Sequence, residues 1–199
     1  MAGTQRELRV QSDLFERPGL PGLKQADAIV TAEEEQALIH LIDAAGLAPF
    51  RFHGWQGKRL TASFGWSYDF ETGRLARTET IPAWLLPVRA KAARFAGLEA
   101  RDLVQALLIR YDAGAGIGWH RDRPLFEHVV GLSLGAPATM RFRRRRAGGF
   151  DRATAELLPR SVYHLGGEAR HEWEHSIPEM ALTRWSITFR SLGGDATAG

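Results

Sequence analysis

Past residue 100 the hydrophobic repeat of this chain changes from the period of a helix to that of a strand, and this change limits the fold more than any other feature of the sequence. Upstream, Thr31 to Ala45 reads as one helix. Thr31 and Glu34 form a capping box, Glu33–Glu35 put negative charge at the positive helix start, Leu38, Leu41 and Ile42 make an apolar stripe, and Gly46 ends it. Pro82 to Ala96 is predicted as a second helix, with Pro82 in its first position, Gly97 past its end, and Trp84, Val88, Ala92 and Phe95 facing inward. Downstream, Leu103–Tyr111, Val129–Leu134, Ala138–Arg143 and Ser161–Leu165 are short runs separated by Gly, Pro or charge. Arg184–Arg190 alternates, with Arg184, Ser186, Thr188 and Arg190 on one face and Trp185, Ile187 and Phe189 on the other. Helices first and many short strands after them predict an α+β fold, with helices packed on one side of a sheet sandwich or barrel.

With 199 residues, no internal repeat and no dividing linker, the chain is expected to be a single domain over 1–199, with residues 1–30 an irregular arm around the turn cluster Pro18, Gly19, Pro21 and Gly22. The 44% hydrophobic and 25% charged content excludes a mostly disordered chain, and no run approaches the ~20 apolar residues of a spanning helix, so no membrane partner is expected. The charged N-terminus lacks the apolar core of a secretory signal, which predicts a cytoplasmic protein; a monomer is the expected state. The absence of cysteine rules out disulfides, a thiolate nucleophile, zinc fingers and iron–sulfur clusters, so any metal must be held by His, Asp and Glu. Net charge is only +3, but the bases are nearly all arginine, the lysines being Lys24, Lys58 and Lys91. Arginine suits phosphate and carboxylate, which its planar fork grips; a compositional bias of the source genome gives the same count.

The chemistry concentrates in Tyr111-Asp-Ala-Gly-Ala-Gly-Ile-Gly-Trp-His-Arg-Asp122, a strand followed by a glycine-spaced loop that ends in His120-x-Asp122. Residues i and i+2 of an extended strand share a face, so both side chains can meet one ion. A distant third ligand, His175, would complete two histidines and one carboxylate, the facial set that leaves three positions open on a non-haem iron. By itself His-x-Asp is a weak signal that a surface ion pair also satisfies. The C-terminal strand adds weight, because two arginines on an otherwise apolar strand are costly to bury unless anions meet them. A dicarboxylate would do so. Arg184 and Arg190 are roughly 20 Å apart along an ideal strand, which assigns them to different ends of the ligand, Arg184 at the end far from the metal.

Taken together, Arg110-Tyr111, the Gly-containing loop, His120-x-Asp122, Ser133-Leu-Gly, Gly167-x-x-Arg170 with His175, and Arg184-x-Ser-x-Thr-Phe-Arg190 resemble the AlkB-like Fe(II)/2-oxoglutarate-dependent dioxygenases over roughly residues 100–191. Residues 1–99 match only in outline, as an N-terminal extension with a variable substrate lid. The resemblance implies a double-stranded β-helix (jelly-roll) core. It implies Fe(II) on His120, Asp122 and His175, and 2-oxoglutarate held by Tyr111, Arg184 and Arg190. It also implies oxidation by O2 coupled to decarboxylation of 2-oxoglutarate to succinate, with loss of formaldehyde from an oxidised N-methyl group. The implied substrate is a single-stranded or flipped-base nucleic acid undergoing oxidative demethylation. The alternatives are the same chemistry on a protein or small molecule, or a non-enzymatic basic nucleic-acid-binding jelly roll.

Three positions depart from the family pattern. Ile109 and Ser186 stand where the family often carries Asn, which removes amide partners from the cosubstrate carboxylate. In the DNA-repair members an acidic residue after the motif helps to read the damaged base; here Arg123, Pro124 and Leu125 follow, and the proline cannot make that contact. Candidate substrate residues are Arg123, the aromatics Trp66 and Tyr68, and Arg145 and Arg146. The aromatic run Phe64–Phe70 could sandwich a flipped base or form the core of a strand pair. Arg143–Arg146 could grip phosphates or form a solvated hairpin tip before Ala147-Gly-Gly149. His40, His53, His128 and His164 read as packed or solvated side chains, and His171 as a less suitable ligand than His175.

Overall fold

The structure is a computed structural model that describes residues 19–52, 55–68 and 75–194. In chain order the elements are β1 (Leu23–Ala26), α1 (Ala32–Asp43), β2 (Ala48–Phe52), β3 (Trp55–Phe64), β4 (Trp66–Tyr68), β5 (Leu75–Arg77), a 3-10 turn (Ala83–Leu85) running into α2 (Leu86–Ala96), β6 (Leu103–Tyr111), β7 (Ile117–His120), β8 (Phe126–Gly135), β9 (Ala138–Arg146), β10 (Gly149–Leu157), β11 (Val162–Leu165), α3 (Gly167–His171), β12 (Glu174–Ile177) and β13 (Arg184–Leu192). Every pairing is antiparallel. A seven-stranded sheet in the order β1-β11-β8-β13-β6-β3-β2 faces a four-stranded sheet in the order β10-β9-β12-β7, and β4 with β5 forms a separate hairpin. Two facing antiparallel sheets with helices on one side make the expected α+β jelly roll.

The start of α1 is where it was predicted, and its end comes two residues before Ala45, at Asp43, with Ala44 rather than Gly46 closing the last turn. Thr31 caps the helix, its side chain accepting from the Glu34 amide while the Glu34 carboxylate accepts from the Thr31 amide. The second helix differs at its start. Pro82 precedes a 3-10 turn, the α-helix proper begins at Leu86, and Pro87 takes the early-turn position expected of Pro82. The absence of a proline N–H costs nothing at the start of the turn, so two prolines five residues apart can both sit near a helix entrance. Gly97 closes the helix at φ +75, a left-handed conformation that suits glycine.

The chain before residue 100 also carries strands that the sequence reading did not expect. β1 falls within the supposed irregular arm, and β2 and β3 extend the large sheet beyond β6. β1 is an edge strand, mostly exposed, so it shows no alternation to read. Residues 1–18 lie outside the described residues.

The large sheet separates two cores. On its outer face Ala106, Leu108, Leu132, Leu134, Ile187 and Phe189 pack against Leu38 and Ile42 of α1 and Val88, Ala92 and Ala96 of α2. Between the sheets lie Ile109, Tyr111, Met140, Phe142, Tyr163, Leu165 and Trp173. β13 obeys the predicted alternation: Ile187 and Phe189 are outward, and the buried Arg184, Ser186 and Thr188 belong to the other face, which looks into the jelly roll. Of the aromatic run, Phe64 belongs to the outer core, while Asp69 and Phe70 lie outside the described residues.

Candidate active site

β7 and β12 are neighbours in the small sheet, and their register sets His120 directly opposite His175. The two imidazole centroids are 4.3 Å apart. Asp122 follows the end of β7, two residues beyond His120, so its carboxylate arrives on the same side. One ligand atom from each of His120, Asp122 and His175 lies within 4.8 Å of the other two. Asp122 Oδ2 is 3.6 Å from His175 Nε2. The Nδ1 of His120 lies 2.9 Å from the Gly118 carbonyl, which accepts its proton and leaves Nε2 available for an ion.

The electrostatics suit a cation. Burial pushes His175 down to about 3, with His120 acting in the same direction. Burial also lowers His120. Burial acting alone would raise Asp122, but Arg190, then His175 and His120, outweigh it and hold the carboxyl well below the usual range. The set is therefore two neutral imidazoles and one carboxylate at neutral pH, a donor set that first-row divalent metals accept.

Arg190 stands at the metal end of the strand, the end opposite to Arg184. Its Nε and Nη2 lie 3.0 and 2.7 Å from Asp122 Oδ1, and its Nη1 donates to Gln105 at 3.0 Å. The guanidinium thus meets the Asp122 carboxylate, which it orients. Arg184 is the open one. It is 1% exposed, its Nε donates to Ser133 Oγ at 3.0 Å, and its Nη1 and Nη2 are buried with no partner among the described residues. Tyr111 lies opposite it across the sheet, the guanidinium carbon 5.3 Å from the ring centroid. Two unanswered N–H groups in a buried fork call for a bidentate anion, and a dicarboxylate fits. Fe(II) and 2-oxoglutarate both therefore match the residues present.

Tyr163 escaped the sequence reading. Its buried hydroxyl is pushed up to about 12, mainly by burial, with Arg184 acting against the rise and Tyr111, Asp122 and Arg190 also within electrostatic reach. Gly131 is its cross-strand partner, and a Cβ there would lie 2.2 Å from the Tyr163 ring. A glycine inside a strand signals such a close approach, though it does not say which residue approaches. Arg170 is 3% exposed and donates to the carbonyls of Arg123 and Phe126, the latter at 2.6 Å, so it clasps the loop that follows Asp122.

The substrate candidates are less convergent. Trp66 lies beneath Arg77 and lines a hollow with Ile81, Leu86, Arg89 and Val104, none of which belongs to the triad. Its backbone carbonyl accepts from Gln105, which in turn accepts from Arg190. Tyr68 sits on β4, but its side chain falls outside the described residues. The Arg123 backbone carbonyl is held by Arg170 and by the Phe126 amide. Most of the arginine run is paired: Arg143 with Glu174, Arg144 with Glu168, Glu172 and Asp151, and Arg146 with Asp151. Arg145 stacks over Phe150 at 5.2 Å. The hairpin is in large part an ion-pair network, and Arg146, its side chain 65% exposed, retains access to solvent. His171 is drawn to Glu127 at 3.1 Å, away from the triad.

Comparison with known proteins accords with this geometry. The family described as the 2OG-Fe(II) oxygenase superfamily matches residues 24–190. The Arabidopsis thaliana "Alkylated DNA repair protein ALKBH8 homolog" is 29% identical over 191 residues, 83% of this chain and 53% of that protein. The Homo sapiens "Alpha-ketoglutarate-dependent dioxygenase alkB homolog 4" is 25% identical over 90% of this chain and 70% of its own length. The chain thus spans about half the length of the plant relative. The solved structure titled "The structure of OsALKBH1" superposes with a TM-score of 0.67 at 14% identity, covering 86% of this chain and 97% of that one, and so shares the fold. The chain belongs to the 2OG-Fe(II) oxygenase superfamily, whose members use Fe(II), 2-oxoglutarate and O2, and is similar to AlkB-like proteins within it.

Proposed function

We propose that this chain oxidatively demethylates alkylated bases in single-stranded or flipped-out nucleic acid, with His120, Asp122 and His175 holding Fe(II). When bound, Fe(II) with O2 and 2-oxoglutarate supplies oxidation of a substrate C–H bond coupled to decarboxylation to succinate. The chain's own residues do the placing. His120 is oriented through its Gly118 contact, and Asp122 is oriented by Arg190. Tyr111 and Arg184 hold the far carboxylate of the cosubstrate, while Arg190 stands at the near end behind Asp122. The Phe142 ring, 6.2 Å from that of His175, and the buried Trp173 close the interior to water on that side.

The observation that carries the reading is the buried, unanswered Arg184 fork in the same interior as the three metal donors. For the substrate, support comes from the plant relative, whose name assigns it to repair of alkylated DNA, and from the exposed Arg146. The test is a turnover screen of iron-loaded protein against methylated DNA, RNA and peptides, reading succinate and product mass. Methylated oligonucleotides are expected to stimulate succinate formation. Stimulation by peptides alone would replace the substrate class. His175→Ala and Asp122→Ala are expected to lose turnover by at least about 10³-fold while circular dichroism stays native-like, and wild-type rates in either variant would remove the metal assignment.

A further inference from the structure

One cation of the interior has no part in the machinery above. β3 pairs with β6 so that Leu60 lies opposite Arg110 and Thr61 opposite Ile109. One step further along this antiparallel register, Arg59 comes level with Tyr111, which itself lies opposite Arg184 on β13. Residues opposite one another across a sheet share a face, so Arg59, Tyr111 and Arg184 form one row on the wall of the jelly roll. The Arg59 guanidinium lies over the Phe50 ring at 4.0 Å, and its Nε is buried without a partner among the described residues. Burial lowers its pKa, and Tyr111, Arg190 and Asp122 are the charges that act on it. Arg59 also acts on His120, in the direction that keeps the imidazole neutral. It therefore stands within electrostatic range of the metal donors, on the strand next to the one that carries Tyr111.

A buried donor without an acceptor is costly, and the cost is relieved when a ligand brings the acceptor. The surroundings define that ligand. Arg184 and Arg190 with a divalent ion already exceed Asp122 and a dicarboxylate by one positive charge, and Arg59 adds a further one. A cationic alkylated base entering this space would meet like charge at low dielectric. A neutral base with ring carbonyls would meet a donor instead.

We infer that Arg59 is a specificity-determining residue: it accepts substrates that present a carbonyl or carboxylate oxygen to its unpartnered Nε and disfavours positively charged alkylated bases. The inference rests on the nucleic-acid reading above and narrows it to neutral, keto-bearing alkylated bases. A purely structural role over Phe50 would give no such discrimination.

The test uses the full chain with Mn(II) and 2-oxoglutarate, so that binding is read by fluorescence anisotropy without turnover. The probes are two single-stranded oligonucleotides that differ in one base, N3-methyluracil (neutral, two carbonyls) or N1-methyladenine (cationic). The wild type is expected to bind the neutral probe about tenfold more tightly or better, as a site built around a polar group discriminates. Arg59→Gln is expected to bring the two affinities within about twofold and leave the 2-oxoglutarate dissociation constant unchanged. Arg59→Lys, which keeps the charge and loses the fork, is expected to go on rejecting the cationic probe but to bind the neutral one several-fold more weakly than the wild type, so that the preference narrows; it decides the matter if the Gln variant does not fold. A wild type that prefers the cationic probe, or a preference untouched in the variants, overturns the role of Arg59 and leaves the nucleic-acid reading standing. A raised 2-oxoglutarate dissociation constant in Arg59→Gln makes Arg59 a cosubstrate ligand and overturns the inference. If neither probe binds while 2-oxoglutarate still does, the nucleic-acid reading fails and this inference with it.

Discussion

The two faces of the large sheet are built from the same strands and do opposite work. On β13, Ile187 and Phe189 are fully buried against the helices, and their neighbours Arg184, Ser186 and Thr188 are almost as buried on the other side. The outer face satisfies itself: apolar side chains meet apolar side chains, and burial stabilises the contact. The inner face does not. Among the described residues Arg184 leaves two donors unanswered and Arg59 one, and the interior keeps a depressed carboxylate beside two neutral imidazoles. Period-two alternation is what lets one strand carry both, because every second side chain is free of the packing demands on its neighbours. Stability and chemistry are thus separated by the sheet, not by distance along the chain.

Substitutions on the two faces should therefore fail in different ways. The largest effect is expected at Arg184→Met. Losing the bidentate fork should weaken 2-oxoglutarate binding by about 3–5 kcal/mol, whereas the stability of the ligand-free protein should hold or rise, since an unpaired buried charge has been replaced by an apolar chain. Calorimetric titration with denaturant melts separates the two readings, and a fall in stability with unchanged affinity would erase the contrast between the faces. Next is Leu108→Ala on the outer face, expected to cost about 2–5 kcal/mol of stability with turnover per folded molecule unaltered; loss of turnover at unchanged stability would show that the faces are coupled.

The smallest effect concerns a pair on adjacent strands of the large sheet, the half-buried His128 on β8 and the buried His164 on β11, whose ring nitrogens are 3.1 Å apart. Burial, then His128 and Lys24, depresses His164 to about 4. A histidine depressed in the folded state takes up its proton more readily when unfolded, so its contribution is complete above its ordinary pKa near 6.5 and declines as pH falls from there towards 4. Denaturant melts across that window should show the decline, and His164→Gln should flatten it. A slope of equal size in the variant would assign the pH dependence to other groups.

How much of this was legible in advance depended on the range of each interaction. Thr31 with Glu34, the nine-residue strand Leu103–Tyr111 and the alternation of β13 are local patterns, and the structure places each where the sequence did. His120-x-Asp122 was equally plain, because two residues of spacing suffice to put both side chains on one side. The strands before residue 100 were not legible: β1 is short and exposed, and β3 gains its meaning only from pairing with β6. The arginine run read equally as a phosphate grip or a solvated hairpin tip because the acids that pair with it, Glu168, Glu172 and Glu174, come from α3, the residue after it and the start of β12.

The sequence by itself determined the local conformations after residue 100 and in α1, the class of fold and the kinds of donor available, since these follow from neighbours within a few residues and from side-chain chemistry. Only the tertiary structure decided that Arg190 serves Asp122 while Arg184 stays open, that Tyr163 fits where Gly131 yields, and that Arg59 stands in the row of Tyr111. The physical reason is strand register: it brings residues from distant parts of the chain into direct opposition, and no periodicity within one strand specifies which partner it will meet.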